Sequence, residues 1–229
     1  MYPQRRTVAQ ALRLGLVTLL ILALSACGGN EEFSKPQPLP EEEQQLRTGV
    51  YSSEEFKPSL TFRVGEGWST LPPEAIDTLF IMQGETRRIG FVNAWEVYKP
   101  TKTGALNVVE APEDMVGWFQ QHPYLQTDKP EPVTVGGSKG VQLDVVVEHL
   151  PEDHYGVCGS DCVDLFANLS TVSALPVFQV ESDKVRLIVL EGVKGDNRVV
   201  ISVVSPATEF DEFAPEAQEV IDTVEWTGS

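Results

Sequence analysis

Val185-Arg-Leu-Ile-Val-Leu190 and Arg198-Val-Val-Ile-Ser-Val-Val204, joined across Gly192 to Asn197, decide the fold class of this chain. Both runs are rich in β-branched residues and the connector holds glycine and asparagine, so the pair reads as an antiparallel hairpin. A second hairpin precedes it. Pro132-Val133-Thr134-Val135 passes through Gly136-Gly137 into Val141 to Val147. Val141, Leu143, Val145 and Val147 fall on one face of that strand, and Gln142, Asp144 and Glu148 on the other. A period of two marks a half-buried strand.

Working outward, Leu60, Phe62 and Val64 alternate with Thr61 and Arg63, then Gly65-Glu66-Gly67 turns the chain into Trp68. Leu79 to Met82 and Ile89 to Tyr98 predict two further strands around a Gln83-Gly84-Glu85-Thr86 turn. A helix is expected from Pro112, with Met115, Val116, Trp118 and Phe119 in one apolar stripe. His122-Pro123 ends it, because the residue before proline avoids helical dihedrals. Val163 to Leu169 and Val177 to Val180 read as strands, although Asp164 to Ala167 suits a helix equally. Phe210 to Val220 has helical spacing, with Pro215 obscuring its start. Val224-Glu225-Trp226 closes as a short strand or a packed tail.

Hairpins joined to two helices imply an α+β fold, a single domain over residues 48–229, mainly antiparallel sheet flanked by helices. About 180 residues suffice to bury roughly 70% of the unfolded chain's surface. Ahead of it, residues 27–47 hold Pro36, Pro38, Pro40 and Glu41-Glu42-Glu43 with few apolar side chains. That composition predicts an extended acidic tether.

The N-terminus carries Arg5, Arg6 and Arg13, the uncharged run Leu14 to Leu24, and Ser25-Ala26-Cys27. Leu24-Ser25-Ala26-Cys27 resembles the lipobox of a bacterial lipoprotein signal peptide. The resemblance implies that residues 1–26 are a signal peptide cut before Cys27. It implies too that Cys27 receives diacylglycerol and further fatty acyl (palmitate-type) chains, leaving the body lipid-anchored on the extracytoplasmic side of the cell membrane. The eleven-residue run would span only about 16 Å as a helix, against roughly 30 Å of hydrocarbon. Arg5-Arg6 also fits a twin-arginine signal, though Thr7-Val8-Ala9 continues it poorly, and the export route stays open.

Asp and Glu number 34 against 17 Lys and Arg, a net charge of −17. Loss of three arginines with the leader takes −17 to −20. Such a field repels phosphate backbones and anionic headgroups, so no nucleic-acid partner is expected.

A second resemblance rests on Ser59 to Val64, Gly67-Trp68, the mid-chain helix and the ending Val220-Ile-Asp-Thr-Val-Glu-Trp226. Together these resemble the PsbP/Mog1-like sandwich. The resemblance implies a non-catalytic interaction or accessory domain, and no functional residue carries over from it.

The densest chemistry is His149, Asp153, His154, Cys158, Asp161, Cys162 and Asp164. His149, His154, Cys158 and Cys162 comprise a zinc-type ligand set. The competing reading is a disulfide closing Cys158-Gly-Ser-Asp-Cys162, with Gly159 permitting the tight turn. That reading is favoured because exported thiols oxidise, and the small ring contributes about 2 kcal/mol. A redox-active pair is disfavoured by a spacing one residue longer than the usual dithiol motif.

Gly136-Gly-Ser138-Lys-Gly140 matches the G-x-S-x-G pattern of hydrolase nucleophile elbows, but a strand follows Ser138 where an elbow needs a helix. No catalytic residue and no cofactor are therefore expected. The leading expectation is a binding module for another envelope component. The alternative is a carrier for an apolar small molecule lined by Trp95, Trp118 and Phe119, with an envelope hydrolase third.

Overall fold

A computed structural model describes residues 35–229, except 72–73, 101–106, 149, 151–161, 168–176, 181, 196 and 229. In chain order the strands begin with β1 (Gln37–Pro38), β2 (Gly49–Ser53), β3 (Leu60–Val64), β4 (Trp68–Leu71), β5 (Thr78–Gln83) and β6 (Arg87–Asn93). β7 (Glu96–Tyr98) and β8 (Val108–Glu110) precede helix α1 (Met115–Gln120). Next come β9 (Leu125–Thr127), β10 (Glu131–Val135), β11 (Ser138–Val147), β12 (Cys162–Phe166) and β13 (Val177–Val180). β14 (Asp183–Val193), β15 (Asn197–Pro206), helix α2 (Phe210–Ile221) and β16 (Glu225–Trp226) complete the body.

The opening hairpin is the centre of the molecule. β14 and β15 pair from Asp183↔Pro206 to Leu190↔Val199, bulge, and close at Val193↔Asn197. Lys194 and Gly195 turn the chain at positive φ. β11 adds beside β14, and β6 beside β15, giving a large sheet ordered β10-β11-β14-β15-β6-β5-β4 with β9 on β11.

Both faces of this sheet are covered, and the alternation in each strand assigns its residues to one core or the other. Ile188, Leu190, Val199, Ile201, Val203 and Phe91 face a first core shared with α2 and the small sheet β1-β2-β3-β16. Val185, Leu187, Val189, Val200, Val204 and Val92 face a second core shared with α1, β7 and β12. Leu143, Val145 and Val147 of β11 also enter the second core, as their period of two predicted. The described residues thus form a mostly antiparallel sheet protein with two helices and a single domain.

Two expectations change, and three readings left open are decided. Ile89 to Tyr98 is two strands in two sheets. After Asn93 the Ala94 amide donates to Arg198 O (3.1 Å) and Trp95 N to Asn93 O (3.0 Å), which turns the chain out of the large sheet into β7. Residues from Gln37 to Leu46, read above as the later part of a tether, lie against the body. β1 pairs in parallel with β2, the Leu39 amide donates to Ser52 O, and Leu46 is buried. Alternate contacts made by a few apolar residues outweigh a polar composition there. Pro215 lies inside α2, which starts at Phe210. The missing amide would have faced the carbonyl of Asp211, an exposed residue whose carbonyl water can serve. Asp164 to Phe166 is strand, and the final segment pairs with β3 while Trp226 Nε1 donates to Val135 O.

Candidate functional site

The excursion from Ala94 to Asp114 places the surface feature of greatest interest. β7 and β8 pair antiparallel with Glu96↔Glu110, Val97↔Val109 and Tyr98↔Val108, and β7 joins β12 through Val97↔Phe166. β8 is the terminal strand of the order β13-β12-β7-β8, and among the described residues no strand pairs with its outer side. Lys99 N donates to Asn107 O (2.8 Å) and Ala111 N to Trp95 O (2.8 Å). Hydrogen-bonded pairs alternate along an antiparallel ladder, so Val109 bonds inward to Val97 while the amides and carbonyls of Val108 and Glu110 point outward.

Four large apolar side chains are exposed among the described residues, and three of them belong to this edge: Trp95 at 47%, Val108 at 42% and Val109 at 38%. Trp95 stands opposite Ala111, one ladder step from the Val97–Val109 pair. Glu110 and Glu113 are exposed and Glu96 is half-buried, an acidic rim that gives way to Lys99 at the far end. β8 is three residues long and carries Glu110 as its one charged side chain, with neither lysine nor proline.

The edge is held from the large sheet by one side chain. Arg198 of β15 donates through Nη1 to Pro112 O (2.6 Å) and through Nη2 to Glu113 O (3.2 Å). Its Nε meets both carboxylate oxygens of Glu191, at 2.8 and 3.0 Å. Asp114 then caps α1 by accepting from Gly117 N (2.8 Å). The segment that follows β8 is therefore tied to the large sheet and to the start of α1.

Of the aromatic residues grouped above as a carrier lining, Trp118 and Phe119 pack together and Trp95 is exposed. Phe119 is fully buried in the second core. Trp118 is half-buried with its ring 5.1 Å from Phe119 and 5.3 Å from His122, and Trp95 faces solvent. His122 is buried and its Nδ1 accepts from Tyr124 N (3.3 Å), which closes the end of α1. Two surface recesses are bordered by charged side chains, the larger of them also by Pro38, Leu39 and Pro40. One of about 360 Å³ is bordered by Leu39, Glu41, Glu54, Glu55 and Glu74, and one of about 160 Å³ by Asp128, Lys129, Glu131, Gln142, Asp144 and Arg186.

Ser138 begins β11 directly after the Gly136-Gly137 turn, both glycines at positive φ, so strand-turn-strand surrounds it. Cys162 opens β12 and is 3% exposed. Cys27, Cys158, His149 and His154 lie outside the described residues. Among the described residues no helix is long and apolar enough to cross a membrane.

β8 was not read from the sequence. Asn107-Val-Val-Glu110 is too short to show a period, and the signal that marks it is two adjacent valines stranded between Gly104 and Pro112.

Fold and edge together define an α+β module in which, among the described residues, no strand pairs with the outer side of β8. The sequence matches no family model, and no curated protein matches it. Solved structures similar to it include a cyanobacterial PsbP from Synechocystis sp. PCC 6803, at 12% identity and TM-score 0.39, over 89% of this chain and 99% of that one. LpqN of Mycobacterium tuberculosis, described as involved in cell envelope biogenesis, is similar at 11% identity and TM-score 0.36, over 82% and 91%. A Bacteroides thetaiotaomicron VPI-5482 protein is similar at 11% and 0.37 over 74% of this chain, which spans 46% of that longer one.

Proposed function

We propose that this chain is a lipid-anchored extracytoplasmic lipoprotein of the bacterial cell envelope whose body is a non-catalytic binding module for another envelope component. The observation that carries the reading is the Trp95–Val108–Val109 edge. Single exposed apolar residues are ordinary, whereas this edge exposes Trp95 and Val109 on one face and Val108 on the other, beside carboxylates, a composition suited to contact. The anchor at Cys27 is supported by Leu24-Ser25-Ala26-Cys27 and by the shortness of the apolar run before it. The disulfide between Cys158 and Cys162 belongs to the same reading, supported by an even pair of cysteines in an oxidising compartment.

Because Gln37 already pairs with β2, only Gly28 to Pro36, nine residues, separate the lipid from the body. The attachment point of the module then stands at most about 30 Å from the lipid.

A photo-crosslinking residue at Val109 in intact cells tests the module. A discrete adduct from Val109, absent from the same label at exposed Glu66, is the expected outcome. Equal labelling at both positions, or none at either, refutes it. Mass spectrometry of the mature chain tests the anchor: Cys27 at the N-terminus bearing acyl groups is expected, and an unmodified thiol overturns it.

A further inference from the structure

Resting on that reading of the β8 edge, we propose that the partner docks as an extended segment of alternating apolar and basic residues that adds one strand to the outer side of β8. Three observations on the same edge carry this. First, the outward amides and carbonyls of Val108 and Glu110 form a ladder face to which another strand can bond. Second, Val108 and Val109 put an apolar side chain on either face of the sheet at that edge, so an incoming strand finds packing surface both above and below. Val109 shares the face of buried Val97 and Val108 the face of Tyr98.

The third observation is charge. Exposed Glu110 and Glu113 border the edge, and Lys99 stands at its far end. A second copy of the mature chain would bring the same carboxylates, and a net charge of −20 (−17 less three leader arginines), against the edge. Glu110 already stands opposite Glu96 across β7 and β8, so further carboxylates beside it are unfavourable, whereas a lysine or arginine opposite Glu110 forms a favourable cross-strand pair. Acidic rim and outward-facing backbone, unpaired among the described residues, therefore select the same occupant, an extended cationic segment.

Strand addition makes a demand on backbone atoms that side-chain docking does not. Val108→Pro deletes an outward donor and leaves the inward bonds of Val109 untouched, so the fold is kept while the docking face is blocked. The assay uses the full chain purified in detergent and a soluble octapeptide alternating valine and lysine. Amide exchange should slow at Val108 and Glu110 on adding the peptide and stay unchanged at Val109. Val108→Pro should weaken peptide binding about tenfold, the effect of losing one bonded donor and the register it sets.

A peptide N-methylated at every second amide should not bind, and a valine–glutamate octapeptide should bind at least tenfold more weakly, by the charge argument. These two arms need no protein variant. Equal binding of the N-methylated peptide overturns strand addition. Equal binding of the glutamate peptide overturns the cationic partner. Dimers in sedimentation that Val108→Pro dissolves would identify a second copy as the occupant and overturn the proposal. An adduct at Val109 in cells, combined with equal binding of the N-methylated peptide, would leave the module standing and sink only the strand geometry.

Discussion

Replacing Arg198 should loosen the β8 edge without unfolding the body. The guanidinium joins three things: Glu191 on its own hairpin, the carbonyl of Pro112 and the carbonyl of Glu113. A hydrogen bond from a charged donor contributes about 1.5–3 kcal/mol when water is excluded. Here Glu113 is exposed and the Glu191 side chain is 54% exposed, so solvent replaces much of what is lost. The ion pair itself then contributes less than about 1 kcal/mol. Arg198→Ala should therefore cost about 1–2 kcal/mol overall, a fall in melting temperature of roughly 2–8 °C for a domain of this size.

The local effect should be larger than the global one. The Ala111 amide, bonded to Trp95 O at 2.8 Å, should exchange faster in Arg198→Ala, while the amides of β14 and β15 away from the turn keep their protection. Arg198→Lys should not restore it, because one ammonium cannot reach two carbonyls and a carboxylate with the geometry of a planar fork. If exchange at Ala111 and the melting temperature both match the wild type, Arg198 does not hold the edge.

Other consequences follow from single sites. A Cβ at Gly90 would meet the Phe80 ring at 2.5 Å and Ser202 Oγ at 2.7 Å. Gly90→Ala should then destabilise by about 1–3 kcal/mol, against the gain of about 0.5–1 kcal/mol that alanine brings to an open strand position. Urea midpoints decide the sign, and a more stable variant would refute the packing account. Asp144 binds Arg186 through both oxygens (2.8 and 3.2 Å) and Lys184 at 3.2 Å, and the two cations sit over the Phe210 ring. Asp144→Asn should cost about 1–3 kcal/mol by leaving partly buried cations short of a carboxylate; a thermal melt unchanged by the substitution would count against it. Burial holds the Asp183 carboxyl above its ordinary range, with Arg88 pulling it partly back. The folded state thus binds that proton more tightly than the unfolded one. Its contribution is fully present below the unfolded pKa and is lost as pH rises through the raised folded value. Asp183→Asn should remove this slope from urea midpoints measured against pH, and identical slopes in both proteins would refute it.

Much of the architecture was legible because strands buried on one or both faces must write their period into the sequence. Val141 to Val147, Val185 to Leu190 and Arg198 to Val204 each did so, and the glycine turns between them left antiparallel pairing as the simple connection. What periodicity cannot say is which sheet a residue joins. Ile89 to Tyr98 is continuous in composition, yet bonds from Arg198 and Asn93 break it in two.

The same limit hid the site. Val108 and Val109 are unremarkable in sequence, and only pairing with β7, together with the lack of a described strand beyond them, makes them an exposed edge. Polar Gln37 to Leu46 was likewise drawn onto the body by Leu46 burial and by hydrogen bonds to Ser52 and Thr70. Local pattern and turn chemistry determined the class of fold. Which edges stay open was decided by contacts between residues far apart in the chain, a property that no short window of sequence contains.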